Sequence, residues 1–476
     1  MGCADEVAGI STPDRVDTSV GELSFFDGVP SRETVDLAYD YIDRARGVEV
    51  FLNAMSGASV QALVKGPETL GVSRVGQVLL FDGLMDSASL FLTGNTSTLY
   101  ALPWVDLADG PIVVDVPPGM LGAFNDMWFR YIGDVGPAGP DGGRGGTYLL
   151  LPPGYDGKVP DGYFVCRSRT LGVWTFMRGS VAGGLEAGVA NIVENLKVYS
   201  LSERENPPEM EFISGSGEAF NTIHPNTYEF YEHVAELVQN ESDEMLDVET
   251  KGLLASIGIV KGEPFDPDAR MKRLLTEAVA IGNAVARSIV WYPRSQGARI
   301  YPDSDSAWMM GWEDKDVFFE RDGARNLDAR VMFHYPYTAV TPAMAVSVPG
   351  RGSDYGIAFL DADKEPFDGA KTYRLHLPPD VPVNDFWAVT VYDTQTRSQL
   401  QTGQRFPTVG SDDSNLRANG DGSFDVYFAP EAPDGYEHNW LETIPGKSWF
   451  AALRMYGPEQ SWIDKTWRPS EITLHQ

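Results

Sequence analysis

Four residues in the run Lys371–Arg397 carry groups able to grip an anion or move a proton: Arg374, His376, Tyr392 and Arg397. A guanidinium grips a carboxylate or phosphate through two parallel N–H bonds. An imidazole titrates near neutral pH, and a phenol serves as acid or base when its surroundings allow. These four form the expected catalytic set. The plainer alternative is inter-strand ion pairing among Arg374, Arg397 and Asp393, since structural ion-pair networks imitate sites. The expected ligand-binding residues are His334, Tyr337 and Arg405 nearby, with Asn95, Tyr100 and Trp104 from an earlier polar and aromatic stretch.

Other chemistry finds little support. The chain has no G-x-S-x-G elbow, H-E-x-x-H, P-loop or G-x-G-x-x-G. Its six histidines are dispersed, and none is paired at metal-ligand spacing, so no metal and no cofactor is expected. Asp303-Ser304-Asp305 and Ser411-Asp412-Asp413 are acidic loops without a calcium-loop spacing.

Sixty-eight acidic residues against 37 Lys and Arg give a net charge of −31. A surface that acidic repels phosphate backbones, so nucleic acid is not an expected partner; a small-molecule or polymeric ligand is. Two cysteines, Cys3 and Cys166, cannot build a disulfide framework. No transmembrane run is expected. Met1-Gly2-Cys3 before a polar, acidic leader fits either the remainder of a lipoprotein site on an exported, periplasmic protein, with a lipid anchor at Cys3 as the one expected membrane contact, or an ordinary disordered start.

Several elements must position these residues. Tyr373, Leu375 and Leu377 alternate with Thr372, Arg374 and His376, as in a half-buried strand, and Pro378-Pro379 ends it. Phe386–Tyr392 is apolar on both faces, a core strand. Further strands are expected at Ile112–Val116, Met127–Ile132, Tyr148–Leu151, Tyr163–Cys166, Val173–Met177, Met344–Val348, Phe424–Phe428 and Trp449–Met455. Between them Phe230, Val234, Leu237 and Val238, then Met271, Leu274, Leu275 and Ala278, repeat at helical spacing. The division is a flexible leader (1–30), a β module (31–185), a helical middle (186–312) and a second β module (313–476).

The β modules resemble each other. Pro117-Pro118 with Asn125-Asp126 matches Pro378-Pro379 with Asn384-Asp385. Pro160-Asp161-Gly162-Tyr163 matches Pro433-Asp434-Gly435-Tyr436, and Trp174–Arg178 matches Trp449–Arg454. Matches in one order argue for duplication. The expected fold is mainly β with a helical insertion: two duplicated jelly-roll-like antiparallel β-sandwich modules. Shared residues read as scaffold, which leaves Arg374, His376, Tyr392 and Arg397 as the part specific to the second copy.

The run DGAKTYRLHLPPDVPVNDFWAVTVYDTQTRSQLQTGQRFP, continued by NGDGSFDVYF, NWLETIPGKSWF, RMYGP and DKTWRP, resembles the bacterial family called domain of unknown function 1214. GNTSTLYALPWVDLADGPIVVDVP is similar to its companion, domain of unknown function 1254; Thr96 and Ser97 stand where that family shows Asn and Asp. The resemblance implies an exported, β-rich, often oligomeric protein with no generally agreed activity. The expected function is binding or structural assembly as a homo-oligomer. The alternative is a hydrolase of a small organic or polymeric substrate, acting at the polar patch of the C-terminal module.

Overall fold

A computed structural model describes residues 9–475, so the anchor expected at Cys3 lies outside the described residues. Helix and strand make up 26% and 27% of the chain, a mixed α/β content with many antiparallel pairings that bears out the β-rich expectation in part. It divides into two compact units, each discontinuous in sequence. One takes the chain up to Ala54, Pro225–Gln239 and Leu246–Val285; the other takes Met55–His224, Asn240–Met245 and everything from Ala286 on.

In the first unit β1 (Arg15–Thr18), β2 (Gly21–Phe26) and β3 (Val29–Pro30) pair as an antiparallel meander. The expected leader is therefore structured from Arg15 on. Ser31 caps the helix Arg32–Asn53, its hydroxyl accepting the Thr34 N–H at 3.2 Å. Gly47 in that helix faces the helix Ala269–Trp291, where an added Cβ would stand 2.7 Å from that of Ala278. A glycine at the crossing is what lets the backbones approach. Contrary to expectation, Ala269–Trp291 is long and apolar enough to cross a bilayer by length and composition. Its stripe of Leu274, Leu275, Ala278 and Val279 is nonetheless buried, and Arg270 is held by Asp40 and Asp43 at 2.7 and 2.8 Å. That is a core helix of this unit.

The second unit holds two β modules. The first comprises β4 (Gln77–Leu80), β5 (Leu99–Pro103), β6 (Ile112–Val116), β7 (Met120–Asp126), β8 (Tyr131–Val135), β9 (Gly146–Leu151), β10 (Phe164–Arg167), β11 (Val173–Gly179), β12 (Lys197–Ser200) and β13 (Glu211–Ser214). The other comprises β14 (Trp308–Met309), the hairpin β15 (Glu320–Arg321) and β16 (Ala324–Arg325), β17 (Ser353–Ala358), β18 (Tyr373–Leu377), β19 (Val383–Asp393), β20 (Thr408–Gly410), β21 (Phe424–Ala429), β22 (Trp440–Glu442), β23 (Trp449–Pro458) and β24 (Thr473–Leu474).

One sheet runs β4-β5-β11-β7-β8 in the first module, with β13 beyond β4, and β14-β17-β23-β19-β20 in the second. The other runs β10-β9-β6-β12 and β22-β21-β18-β24. The strand order recurs. Each module packs its own apolar core, around Val114, Phe124, Tyr148 and Met177 in one and Leu375, Trp387, Val389 and Trp449 in the other.

Several expectations need correcting. A jelly roll is antiparallel, whereas β9–β10, β21–β22 and β4–β13 pair parallel. The expected helical middle is not one segment, because β12 joins β6 and β13 joins β4 in the first module's sheets. Met344–Val348 is not a strand: Pro342–Ala345 forms a helical turn, capped by the Thr341 hydroxyl. The sequence match at Asn-Asp is a slip in register. Asp126 ends β7 opposite Val173, as Asp393 ends β19 opposite Trp449, while Asn384-Asp385 lies at the other end of β19.

Candidate functional site

The expected catalytic four do not come together. Arg374 and His376 point to the half-exposed face of β18, where His376 Nδ1 meets Asp425 Oδ1 at 2.8 Å across to β21. Tyr392 is fully buried on β19, in the other sheet. Arg397 follows β19 with φ of 61°; it is 1% exposed and stacks over the Tyr335 ring at 4.3 Å. Its Nη1 donates to Gln395 O at 2.6 Å, and burial pulls its pKa down to about 10. The expected Asp393–Arg397 ion pair is replaced by Lys447 on the Asp393 carboxylate.

The expected ligand-binding six also scatter. Arg405 is tied to Asp86 at 2.7 Å. His334 is buried against the Phe129 ring at 5.2 Å, and desolvation holds its pKa well below the ordinary value, so it is a neutral core residue. Trp104 is half-buried beyond the end of β5, its N–H on Gln77 O. Tyr100 and Tyr337 line a cavity, and Asn95 holds the Tyr100 hydroxyl.

That cavity lies between the modules. β5 and β11 come from one side, β17 and β23 from the other, and each pair of strands sets an arginine against a tyrosine. Arg178 on β11 stands opposite Tyr100 on β5; Arg454 on β23 stands opposite Tyr355 on β17. Since β5 and β17, and β11 and β23, hold the same places in their sheets, the two Arg–Tyr pairs are topological equivalents. All four line a chamber of ≈ 50 Å³, walled otherwise by apolar groups such as Phe91, Phe176, Trp312 and Ile357. One water takes about 10–15 Å³ of such space, so the chamber fits a few waters or a small polar head.

Among the described residues no carboxylate lines the chamber. Arg454 is 5% exposed; its Nη2 and Nε donate to the Tyr392 hydroxyl at 2.6 and 3.2 Å, and Nη2 also to Thr93 O. Tyr392 passes its own proton to Gly94 O at 3.0 Å. Arg178 is 3% exposed, and its Nε and Nη2 have no hydrogen-bond partner. The Trp312 Nε1 and the Tyr355 and Thr338 hydroxyls are likewise unpartnered. Tyr100 accepts two N–H bonds from Asn95, at 3.2 and 2.8 Å, which leaves its own proton to donate. The lining thus offers several donors, and its acceptors are neutral oxygens rather than carboxylates.

Charge follows the same pattern. Desolvation, the largest influence on both guanidinium charges, works against them; the opposing pull that carries both above the ordinary arginine value comes from the phenols in ionised form, which they do not hold near neutral pH. Burial raises Tyr100, Tyr337 and Tyr392 against the pull of nearby arginines at Tyr100 and Tyr392, and lifts Tyr456 to about 12. These tyrosines stay protonated near neutral pH and act as donors. Backbone strain gathers here too: Thr93 and Ala339 line the chamber with φ of 43° and 69°, conformations that cost a residue with a Cβ about 1–3 kcal/mol.

Arg178 also lines a larger cleft of ≈ 1180 Å³ and is, among the described residues, the one common to cleft and chamber. The cleft carries Asp134, whose carboxyl burial raises while Thr341 and Tyr131 pull it back.

Sequence reasoning had Arg178 and Arg454 in hand as matched positions but took shared residues for scaffold. The signal was present in the match itself, an arginine kept in two otherwise apolar strands. β5 and β17, which bring the tyrosines, were not among the expected strands.

Residues 75–200 match the family described as Protein of unknown function (DUF1254), and residues 352–460 match Protein of unknown function (DUF1214). The chain pairs these two domains. β5 and β11 belong to the DUF1254 match and β17 and β23 to the DUF1214 match, so each domain supplies one Arg–Tyr pair. Among solved structures, the VPA0106 protein from Vibrio parahaemolyticus is similar in fold, with a TM-score of 0.53 and 17% identity over 91% of this chain and 100% of that one. An uncharacterized protein from Burkholderia cenocepacia gives a TM-score of 0.37 and 12% identity over 92% and 96% of the two chains. No curated protein matches the chain.

Proposed function

We propose that the protein binds a small anion between its DUF1254 and DUF1214 domains, with Arg178 and Arg454 as the paired cationic grip. The observation that carries this reading is the buried Arg178 guanidinium, with two donor atoms unpartnered and, among the described residues, no carboxylate in the chamber. Leaving a buried donor unsatisfied costs about 1–3 kcal/mol, and more for a charged group, so such an arrangement survives when a ligand supplies the acceptor. The modules descend from one duplicated unit in this account, and the matched arginines became two halves of one site.

Binding fits better than hydrolysis. The raised phenols do not exchange protons near neutral pH, and the polar patch expected to host hydrolysis is split between two sheets. The test is calorimetric titration with acetate, phosphate and sulfate, and with methylammonium as the control. Saturable binding of at least one anion, lost in Arg178→Met, supports the reading. Anion binding that survives both Arg178→Met and Arg454→Met overturns it.

A further inference from the structure

Resting on that anion site, the geometry points to a ligand class: a monocarboxylate with an extended apolar tail, its head at Arg178 and its tail along the cleft. Nε and Nη2 of Arg178, the two unpartnered atoms, lie on one edge of the guanidinium, the edge that meets the two oxygens of a planar carboxylate side by side. The chamber beyond, at ≈ 50 Å³, has room for a head and none for a chain. The cleft on the other side of Arg178 has more than twenty times that space.

The cleft wall suits a hydrocarbon. Leu121, Val181, Pro342, Val346, Val348 and Phe386 line it, and Val346 and Val348 are 49% and 45% exposed. Apolar surface beside a buried cation is what an amphiphile covers in one binding event: the cation takes the head, and the exposed valines lose contact with water. Asp134, Asp385 and Asp412 line the cleft and outnumber Arg351, the cation there besides Arg178, and burial followed by repulsion from Asp385 raises the Asp412 carboxyl. A neutral tail adds no charge beside them, whereas a second carboxylate on the ligand would be repelled. That favours a monocarboxylate over a dicarboxylate.

The experiment is a calorimetric series of straight-chain alkanoates from acetate to decanoate, below their micelle concentrations, on the full chain. Each buried methylene contributes about 0.8 kcal/mol, so affinity rises about fourfold per carbon until the cleft is filled. Val346→Ser and Val348→Ser, uncharged polar changes at exposed positions of the cleft wall, flatten that rise. Equal affinity along the series, with acetate binding still lost in Arg178→Met, overturns the tail and spares the anion site. A rise untouched by both valine variants puts the tail elsewhere and also overturns the inference. If no alkanoate binds while phosphate or sulfate does, the head group is wrong; if no anion binds at all, the underlying reading falls with it.

Discussion

Replacing Arg178 by methionine should make the protein more stable while abolishing anion binding. Arg178 is 3% exposed, and two of its donors have no partner. Removing a buried charge that lacks compensation recovers about 1–3 kcal/mol, as when buried ionic groups are exchanged for apolar ones of similar length. Against that stands the contact of its guanidinium with the Phe176 ring at 5.7 Å, worth about 0.5–1 kcal/mol. The net expectation is a gain of about 1–2 kcal/mol in the ligand-free protein. Urea denaturation followed by tryptophan fluorescence reads it cleanly, because all 11 tryptophans fall in the unit that contains the site. The midpoint should move up with the slope unchanged. Saturating anion should then reverse the order, since a ligand at 100 times its Kd adds about 2.7 kcal/mol to the wild type alone. A variant that is less stable than wild type without anion, and gains as much from anion as wild type does, refutes the reasoning.

Arg454→Met should instead destabilise by about 2–4 kcal/mol, because Arg454 is bonded to Tyr392 and Thr93 and its loss leaves buried acceptors unpaired; the same urea titration checks it. Arg397→Ala should destabilise by about 1–3 kcal/mol through the lost stack on Tyr335 and the lost bond to Gln395, with anion affinity by calorimetry unchanged. His376→Ala, on the outer sheet, should likewise leave affinity unchanged. Glu241 is buried, and desolvation raises its carboxyl from 4.5 to about 6 against the N–H bonds of Gly172 and Leu171. Between those pH values the folded state holds a proton that the unfolded state has lost, so this group removes about 2 kcal/mol of stability as pH rises from about 3.5 to about 7. The stability of Glu241→Gln relative to wild type should therefore climb by about that amount over the same range; a flat difference contradicts it.

Local patterning was legible where one force dominated. The alternation of Tyr373, Leu375 and Leu377 gave β18, Pro378 stopped it, and Ser31 capped its helix, because burial period and capping chemistry are read residue by residue. The pairing of DUF1254 with DUF1214 was legible from motifs. Long-range consequences were not. Asn-Asp occurs near one end of β19 and at the opposite end of β7, and only the ladder shows that Asp126 matches Asp393. Edge strands β10 and β22 pair parallel, a choice made by tertiary packing. Tyr392, Arg397 and Arg405 looked chemical because they are polar. They are fasteners: Tyr392 bonds Gly94, the Arg397 carbonyl accepts the Thr93 N–H, and Arg405 holds Asp86, so a segment of the first module is laced to the second. The arginines of the site were overlooked for the opposite reason. They recur, and recurrence was read as scaffold, although a site built across two copies needs the same residue in each.

Whether an anion sits between the two modules at Arg178 can be seen in a crystal of the protein grown with sodium bromide. Anomalous scattering places the bromide without reference to the protein's phases. A bromide peak is expected in the chamber or at its cleft mouth, against Nε and Nη2 of Arg178. Full occupancy at other surface sites, with the Arg178 edge still bare, would contradict it.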